Sequence, residues 1–393
     1  MKVMSKIIDN RINSCNMYVE TTFGEYLSFA REIIKNNELQ RKRVRASKTV
    51  YSLLKNDLKK GCVMPPLVLA ITNNSEIDLD KDNSEISKEI LEKVKKDSKN
   101  VLILDGLQRT YTLLDASIEM EQENEEDYNK FLNYQLRLEI YVDINKFGVL
   151  YRMLTLNTGQ TPMAARHQLE MLYRDKLNTC IEGVKLITDV QGKADPEENE
   201  FVFKNVIDGF NSYMNRNELP IDRQELLENI QMLENMSEEN VKNDIFEEFL
   251  AVYVKVFNKL REVSNNYTLT EEDIKTYELS DSPFGKNVCK VFATSQAMTG
   301  FGAAIGRMRD NGTIKEINEL EKMLDELECE SEEWFLEMLV KFEKIKQTSK
   351  KIGNAQRMFI QYFFRELFNK ESDSYLDLEA AVKNGYQKYY SQV

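Results

Sequence analysis

Apolar residues saturate or alternate over strand-length stretches at three places in the first half of the chain. Pro65-Pro66 stops a helical pattern and leads into Leu67-Val68-Leu69-Ala70-Ile71, a run that fits a buried strand. Val101-Leu102-Ile103-Leu104 is a second such run. Leu136, Leu138, Ile140 and Val142 alternate with Arg137, Glu139 and Tyr141, which predicts a third strand with one wet face. Helical spacing fills the intervals. Val50, Leu53, Leu54 and Leu58 share a face before Gly61 ends the turn, Thr110 to Met120 continues as helix after the second strand, and Phe147, Leu150, Tyr151 and Leu154 follow the third. Residues from about 38 to 160 therefore predict a small mixed α/β domain.

Asn73 to Asn100 is polar and charged; it reads as a surface insertion whose middle, Glu85 to Lys96, carries an exposed helix. Glu119 to Asp127 reads as an acidic surface connection. Beyond about Met163 the spacing is almost wholly helical, with helices expected near 163–188, 222–236, 240–262, 286–309, 314–328, 331–347 and 354–369 and joints at Gln191–Glu200 and Ser264–Asp273. The small residues from Ala293 to Gly306 predict close helix packing or a bend. The expected architecture is α+β, with a domain over 1–165 followed by a mainly helical half over 166–393. There is no fixed-period repeat to support a solenoid.

Composition narrows the chemistry. The 393 residues include 53 basic and 66 acidic side chains, a formal net charge of −13, so a general wrap around nucleic acid is disfavoured while a local basic groove stays open. His167 is the single histidine, which excludes a histidine-pair zinc site, an HEXXH protease and an HNH nuclease. Cys15, Cys62, Cys180, Cys289 and Cys329 are scattered and odd in number, so neither a zinc ribbon nor a disulfide framework is indicated. The opening stretch has no long apolar core or small-residue cleavage site, and no apolar run approaches the roughly 20 residues of a membrane span. The expectation is a cytoplasmic protein without membrane contact.

Three polar constellations could carry chemistry. Val101 to Thr110 runs from a strand through Asp105-Gly106 into a helix, where Gly106 lets backbone approach a ligand and first-turn N–H groups attract an anion. Arg109 could fork onto phosphate, Thr110 could add a hydroxyl, and Asp105 could hold a divalent metal or orient water. The competing reading is a capping box, Asp105 with Gln108 three residues on, that needs no ligand. The run Gln40-Arg41-Lys42-Arg43-Val44-Arg45 with Lys48 could line a phosphate groove, or be a solvated helix edge. After Leu154, Asn157 and Gln160 could bond a base or ribose, though Asn157, Gly159 and Thr161 also suit a plain turn before Pro162. His167 is read as a packed or surface histidine more readily than as a general base.

The order of these pieces resembles the ParB/sulfiredoxin-like superfamily, and within it the DGQQR/DGQHR-motif branch found in modification-dependent restriction proteins and regulators of DNA phosphorothioation. The similarity covers about residues 38 to 175, most specifically Asp105-Gly106-Leu107-Gln108-Arg109, with Gln40-Arg41 upstream and Asn157 and Gly159 downstream. The resemblance implies a nucleotide-binding pocket, often with triphosphate hydrolysis, taking a nucleoside triphosphate with Mg2+ in a protein of DNA modification, restriction or phage defence. Asp105, Gln108 and Arg109 would be its catalytic polar residues, with Asp105 as metal ligand. Gln40, Arg41, Gly106, Thr110 and Asn157 would hold the nucleotide, and Arg43, Arg45 and Lys48 would meet DNA. The helical half would contact DNA or other proteins of a modification or restriction system. Leu107 stands where a polar residue is usual, which predicts weak hydrolysis or a non-enzymatic DNA-associated regulator.

Overall fold

The computed structural model describes residues 1–36, 48–72, 77–156, 183–188, 191–220, 245–329 and 331–392, with scattered positions between 166 and 181. The described residues fall into two compact units, one over Met1–Leu172 and the other over Tyr173–Leu226 and Glu238–Val393.

The first unit is a five-stranded mixed sheet packed with helices. Its elements are β1 (Lys2–Asp9), β2 (Ser14–Thr22), α1 (Phe23–Asn36), α2 (Lys48–Lys59), β3 (Leu67–Ile71), α3 (Asn83–Lys96), β4 (Val101–Asp105), α4 (Leu107–Glu123), α5 (Glu125–Leu132), β5 (Gln135–Val142) and α6 (Lys146–Leu156). The strand order is β1-β2-β5-β3-β4, with β3 parallel to β5 and every other neighbouring pair antiparallel. Alternation sorts the side chains: Cys15, Met17 and Val19 of β2 and Leu136, Leu138 and Ile140 of β5 point into one core with Leu67, Leu69 and Ile71. Helices α1 to α5 close that face, where Phe23 and Phe131 meet edge to face at 5.2 Å. Each fully buried large apolar side chain there stabilises the fold by roughly 1.5–3 kcal/mol. All five residues of β3 are buried, which is why its sequence is a continuous apolar run rather than an alternating one.

All three expected strands are present, with β5 starting one residue before the alternation does. Three expectations need correction. Helix α3 is no exposed decoration, because Ile86, Ile90 and Val94 enter the common core. Its start is fixed by Asp82, whose carboxylate accepts from the Ser84 and Glu85 amides. The acidic connection at 119–127 shrinks to Asn124: α4 runs to Glu123, and the Asn124 side chain caps α5 by accepting from the Asp127 amide at 2.7 Å. The β1–β2 hairpin and α1 also belong to this unit, and the hydrophobic pattern reading omits them.

Among its described residues the second unit is helical apart from two short parallel strands, β6 (Lys185–Ile187) and β7 (Glu200–Val202). So part of the helix expected over 163–188 is strand. The helices are α7 (Phe203–Asn215), α8 (Ile245–Val263), α9 (Glu271–Thr276), α10 (Val288–Phe292), α11 (Ser295–Asp310), α12 (Glu319–Glu326), α13 (Glu333–Thr348), α14 (Ile352–Phe368) and α15 (Leu378–Tyr390). The helix expected over 286–309 is two: Thr294 breaks it and caps α11 by accepting from the Ala297 amide. The 222–236 helix lies outside the described residues. Among the described residues no helix is long and apolar enough to cross a membrane.

Candidate functional site

Strand β4 ends at Asp105, Gly106 turns the chain with φ of +94°, and α4 begins at Leu107. Glycine is required there twice. The dihedral is left-handed, and a Cβ would lie 2.4 Å from Leu67 Cδ2 and 3.3 Å from Arg109 Nη2. The capping-box reading of Asp105 and Gln108 is not what forms. Gly106 occupies the cap position, and no side chain caps α4. Its first turn also holds no acidic residue, so the positive end of a 17-residue helix is left without a local carboxylate on the helix itself.

Asp105 is engaged elsewhere. Arg109 Nη2 donates to Asp105 Oδ2 at 2.6 Å, while Nη1 donates to the carbonyls of Pro65 at 2.6 Å and Pro66 at 3.1 Å. The guanidinium thus ties the start of α4 to the end of β4 and to the lead-in of β3. Planar, forked donors suit such a three-way tie, which a lysine could not reproduce. Thr110 does not face a ligand. Its hydroxyl is fully buried, donates to the Gly106 carbonyl at 3.1 Å and sits 2.8 Å from the Tyr26 hydroxyl. Burial pushes the Tyr26 phenol well above its ordinary pKa, against smaller opposing effects of Thr110 and Arg109. Leu107 is half-buried and packs on the core beneath the sheet, a structural reason for an apolar residue at this place in the motif.

Helix α2 lies beside α4. Lys55 pairs with Glu119 at 2.5 Å, and Lys59 pairs with Glu119 at 2.9 Å and Glu123 at 3.0 Å. Hydrogen bonds from Lys55 and Lys59 lower the Glu119 pKa, and bonds to Glu119 and Glu123 raise that of Lys59. Because 55 meets 119 and 59 meets 123, the two helices run in the same direction. Lys48, the first residue of α2, therefore sits at the end of the pair where Gly106 lies. Gln40, Arg41, Arg43, Arg45, Asn157, Gly159, Gln160 and His167 lie outside the described residues. Of the expected site, the structure brings together Asp105, Gly106, Gln108 and Arg109, turns Thr110 inward, and starts α2 at the same end.

Chemically the turn offers a helix N-terminus, one guanidinium and one carboxylate that neutralise each other. Among the described residues no three Asp, Glu, Cys or His side chains gather as a metal cage requires. Magnesium often binds through one carboxylate plus substrate phosphates, and at Asp105 it would compete with Arg109 for the same charge. No local spacing encodes the contacts of Arg109 with Pro65 and Pro66 or of Thr110 with Tyr26. No family model, no curated protein and no solved structure matches the chain.

Proposed function

We propose that the first unit is the phosphate-binding module of a cytoplasmic, DNA-associated regulator, ParB-like in kind, that holds a nucleotide at the start of α4 without efficient turnover. The observation that carries this is the uncapped, acid-free first turn of α4, set on a left-handed glycine at the exit of a buried strand. Backbone N–H groups and the helix dipole at such a turn attract phosphate without further side chains. The residue-level resemblance to the DGQQR/DGQHR branch supports nucleotide as the ligand and DNA modification, restriction or phage defence as the setting. Hydrolysis, by contrast, needs a carboxylate available for metal or water. Asp105 spends its charge on Arg109, and Leu107 adds no polar group, which favours the binding reading over the triphosphatase.

Gln108→Glu tests the site and leaves the Arg109 tie in place, at the cost of desolvating one carboxylate oxygen where the Gln108 Nε2 is buried. A first-turn carboxylate favours the helix by roughly 0.3–1 kcal/mol through the dipole, yet it repels phosphate. Calorimetric titration with ATP, GTP and pyrophosphate, with and without Mg2+, is expected to show binding that this variant weakens at least about tenfold, a penalty of roughly 1.4 kcal/mol. Its melting temperature is read beside that of the native chain, because desolvation of the carboxylate opposes the dipole gain, and phosphate release should stay at the blank rate. Absence of any heat at about 1 mM ligand, where even −4 kcal/mol of binding registers, would remove the reading.

A further inference from the structure

The segment from Lys341 to Lys351 has a charge balance opposite to that of the chain. It holds five lysines and one carboxylate, Glu343, in a protein whose formal net charge is −13. Helix α13 ends inside this segment, and α14 begins at Ile352 with no side-chain cap and no acidic residue in its first turn. Lys350 and Lys351 therefore sit against the positive start of α14, an arrangement that costs stability unless an anion joins it, whereas Lys346 lies in the last turn of α13, where the dipole favours a cation.

Helix α15 brings aromatic rings to the same place. Lys341 Nζ lies 5.2 Å from the centroid of Tyr386, and the Ser349 hydroxyl is 2.9 Å from that of Tyr389. Tyr390 then stacks on Tyr386 at 6.3 Å between centroids and 26° between planes, yet remains 68% exposed. Some of the lysines are already engaged: Lys341 pairs with Glu337 at 2.5 Å, and Lys346 donates to Ser280 Oγ at 2.8 Å. Lys344, Lys350 and Lys351 are exposed and make no ion pair among the described residues.

We infer that this surface binds single-stranded nucleic acid, with Lys344, Lys350 and Lys351 on the phosphates and Tyr390, braced by Tyr386, as a platform for an unpaired base. The occupant follows from complementarity. Uncompensated cations fit a polyanion, and an exposed, pre-oriented ring fits a flat base face, which single strands expose and duplexes hide. An anionic membrane surface also accepts a tyrosine ring beside lysines, so vesicles form the competing arm of the test. The surface belongs to the helical unit alone and does not rest on the nucleotide reading.

Fluorescence anisotropy with the full chain, without nucleotide, tests it on a labelled oligothymidine of about 20 nucleotides, longer than the roughly 4–16 that one single-strand-binding fold covers. The native chain should bind, with affinity falling against salt at a log–log slope of about −2 for three phosphate contacts. Lys344→Glu, Lys350→Glu and Lys351→Glu combined should weaken binding more than about tenfold and flatten that slope. Tyr390→Ala should weaken it about tenfold with the slope unchanged. All four positions are exposed, and an unchanged melting temperature confirms that the variants fold. No binding at low salt, or native affinity in either variant, overturns the inference. Equal affinity for a duplex with Tyr390→Ala silent overturns it in favour of plain backbone contact. Sedimentation with anionic phosphatidylglycerol vesicles but no oligonucleotide binding overturns it in favour of a lipid surface.

Discussion

Gly302→Ala is expected to lower the melting temperature of the helical unit by roughly 6–12 °C, from a loss of about 3 kcal/mol at 2–4 °C per kcal/mol. At this position a Cβ would lie 2.1 Å from the Gly209 carbonyl oxygen and 2.9 Å from the Tyr213 amide nitrogen, both backbone atoms of α7. Backbone cannot rotate out of the way as a side-chain tip can, so α7 and α11 must separate along their contact. One turn later the same helix meets α7 again, with a Cβ at Gly306 falling 2.3 Å from the Tyr213 carbonyl oxygen. Trp334, the only tryptophan of the chain, is buried in this unit and stacks on Phe363, so its fluorescence reports the transition locally. Gly353→Ala provides the contrast. Its nearest neighbour is the end of the Arg357 side chain at 3.1 Å, and the variant should stay within about 1 kcal/mol of native. An unaltered tryptophan transition in Gly302→Ala would mean that the close crossing does not hold the unit together.

That crossing was legible in the sequence, since small residues clustered from Ala293 to Gly306 let another backbone approach. The three interior strands were legible for a similar reason: burial on one or both faces writes itself into an alternating or a continuous apolar run. The β1–β2 hairpin was harder. Val3 is the one hydrophobic residue of β1 inside the core, while Met4, Ile7 and Ile8 are exposed, so the strand shows no period of two. Its partner does alternate, through Cys15, Met17 and Val19, but cysteine and methionine are weak strand signals. Helix α3 hid three core residues, spaced four apart, among charges that dominate its composition. At the candidate site the local order of Asp105, Gly106, Gln108 and Arg109 was visible, whereas their partners were not. Arg109 reaches back 44 residues to Pro65, and Thr110 meets Tyr26 from 84 residues away. Contacts of that range come from topology, and α1, which supplies Tyr26, had not been anticipated.

The tie made by Arg109 leads to the second large effect. Arg109→Ala is expected to destabilise the first unit by about 3 kcal/mol, whether or not any ligand binds. The change removes charged donors from two carbonyls, which are worth roughly 1.5–3 kcal/mol for hydrogen bonds to charged groups, and strands the Asp105 carboxylate in a site only 19% exposed. Arg109→Lys should recover part of the loss, because it restores the charge but cannot serve Asp105 and both prolines at once. Asp105→Asn should cost less than Arg109→Ala, and the double variant should fall short of the sum by about 1–2 kcal/mol, the signature of a direct pair. Hydrogen exchange on Leu67–Ile71 and Val101–Asp105 measures this where it acts, because β3 and β4 are the strands joined by the guanidinium. Native-like exchange there in Arg109→Ala would show that the tie contributes nothing. The same physics governs how binding data must be read. Lost phosphate affinity in Arg109→Ala follows equally from a lost contact and from a loosened turn. Gln108→Glu leaves the Arg109 tie in place, so affinity lost there with native exchange in β3 and β4 reports the phosphate contact itself. A phosphate that drew Arg109 toward itself would also release the Pro65 and Pro66 carbonyls, so saturating triphosphate should speed exchange at the start of β3 in the native chain. A ligand held by the α4 amides alone should slow exchange at residues 107–109 and leave β3 as it was.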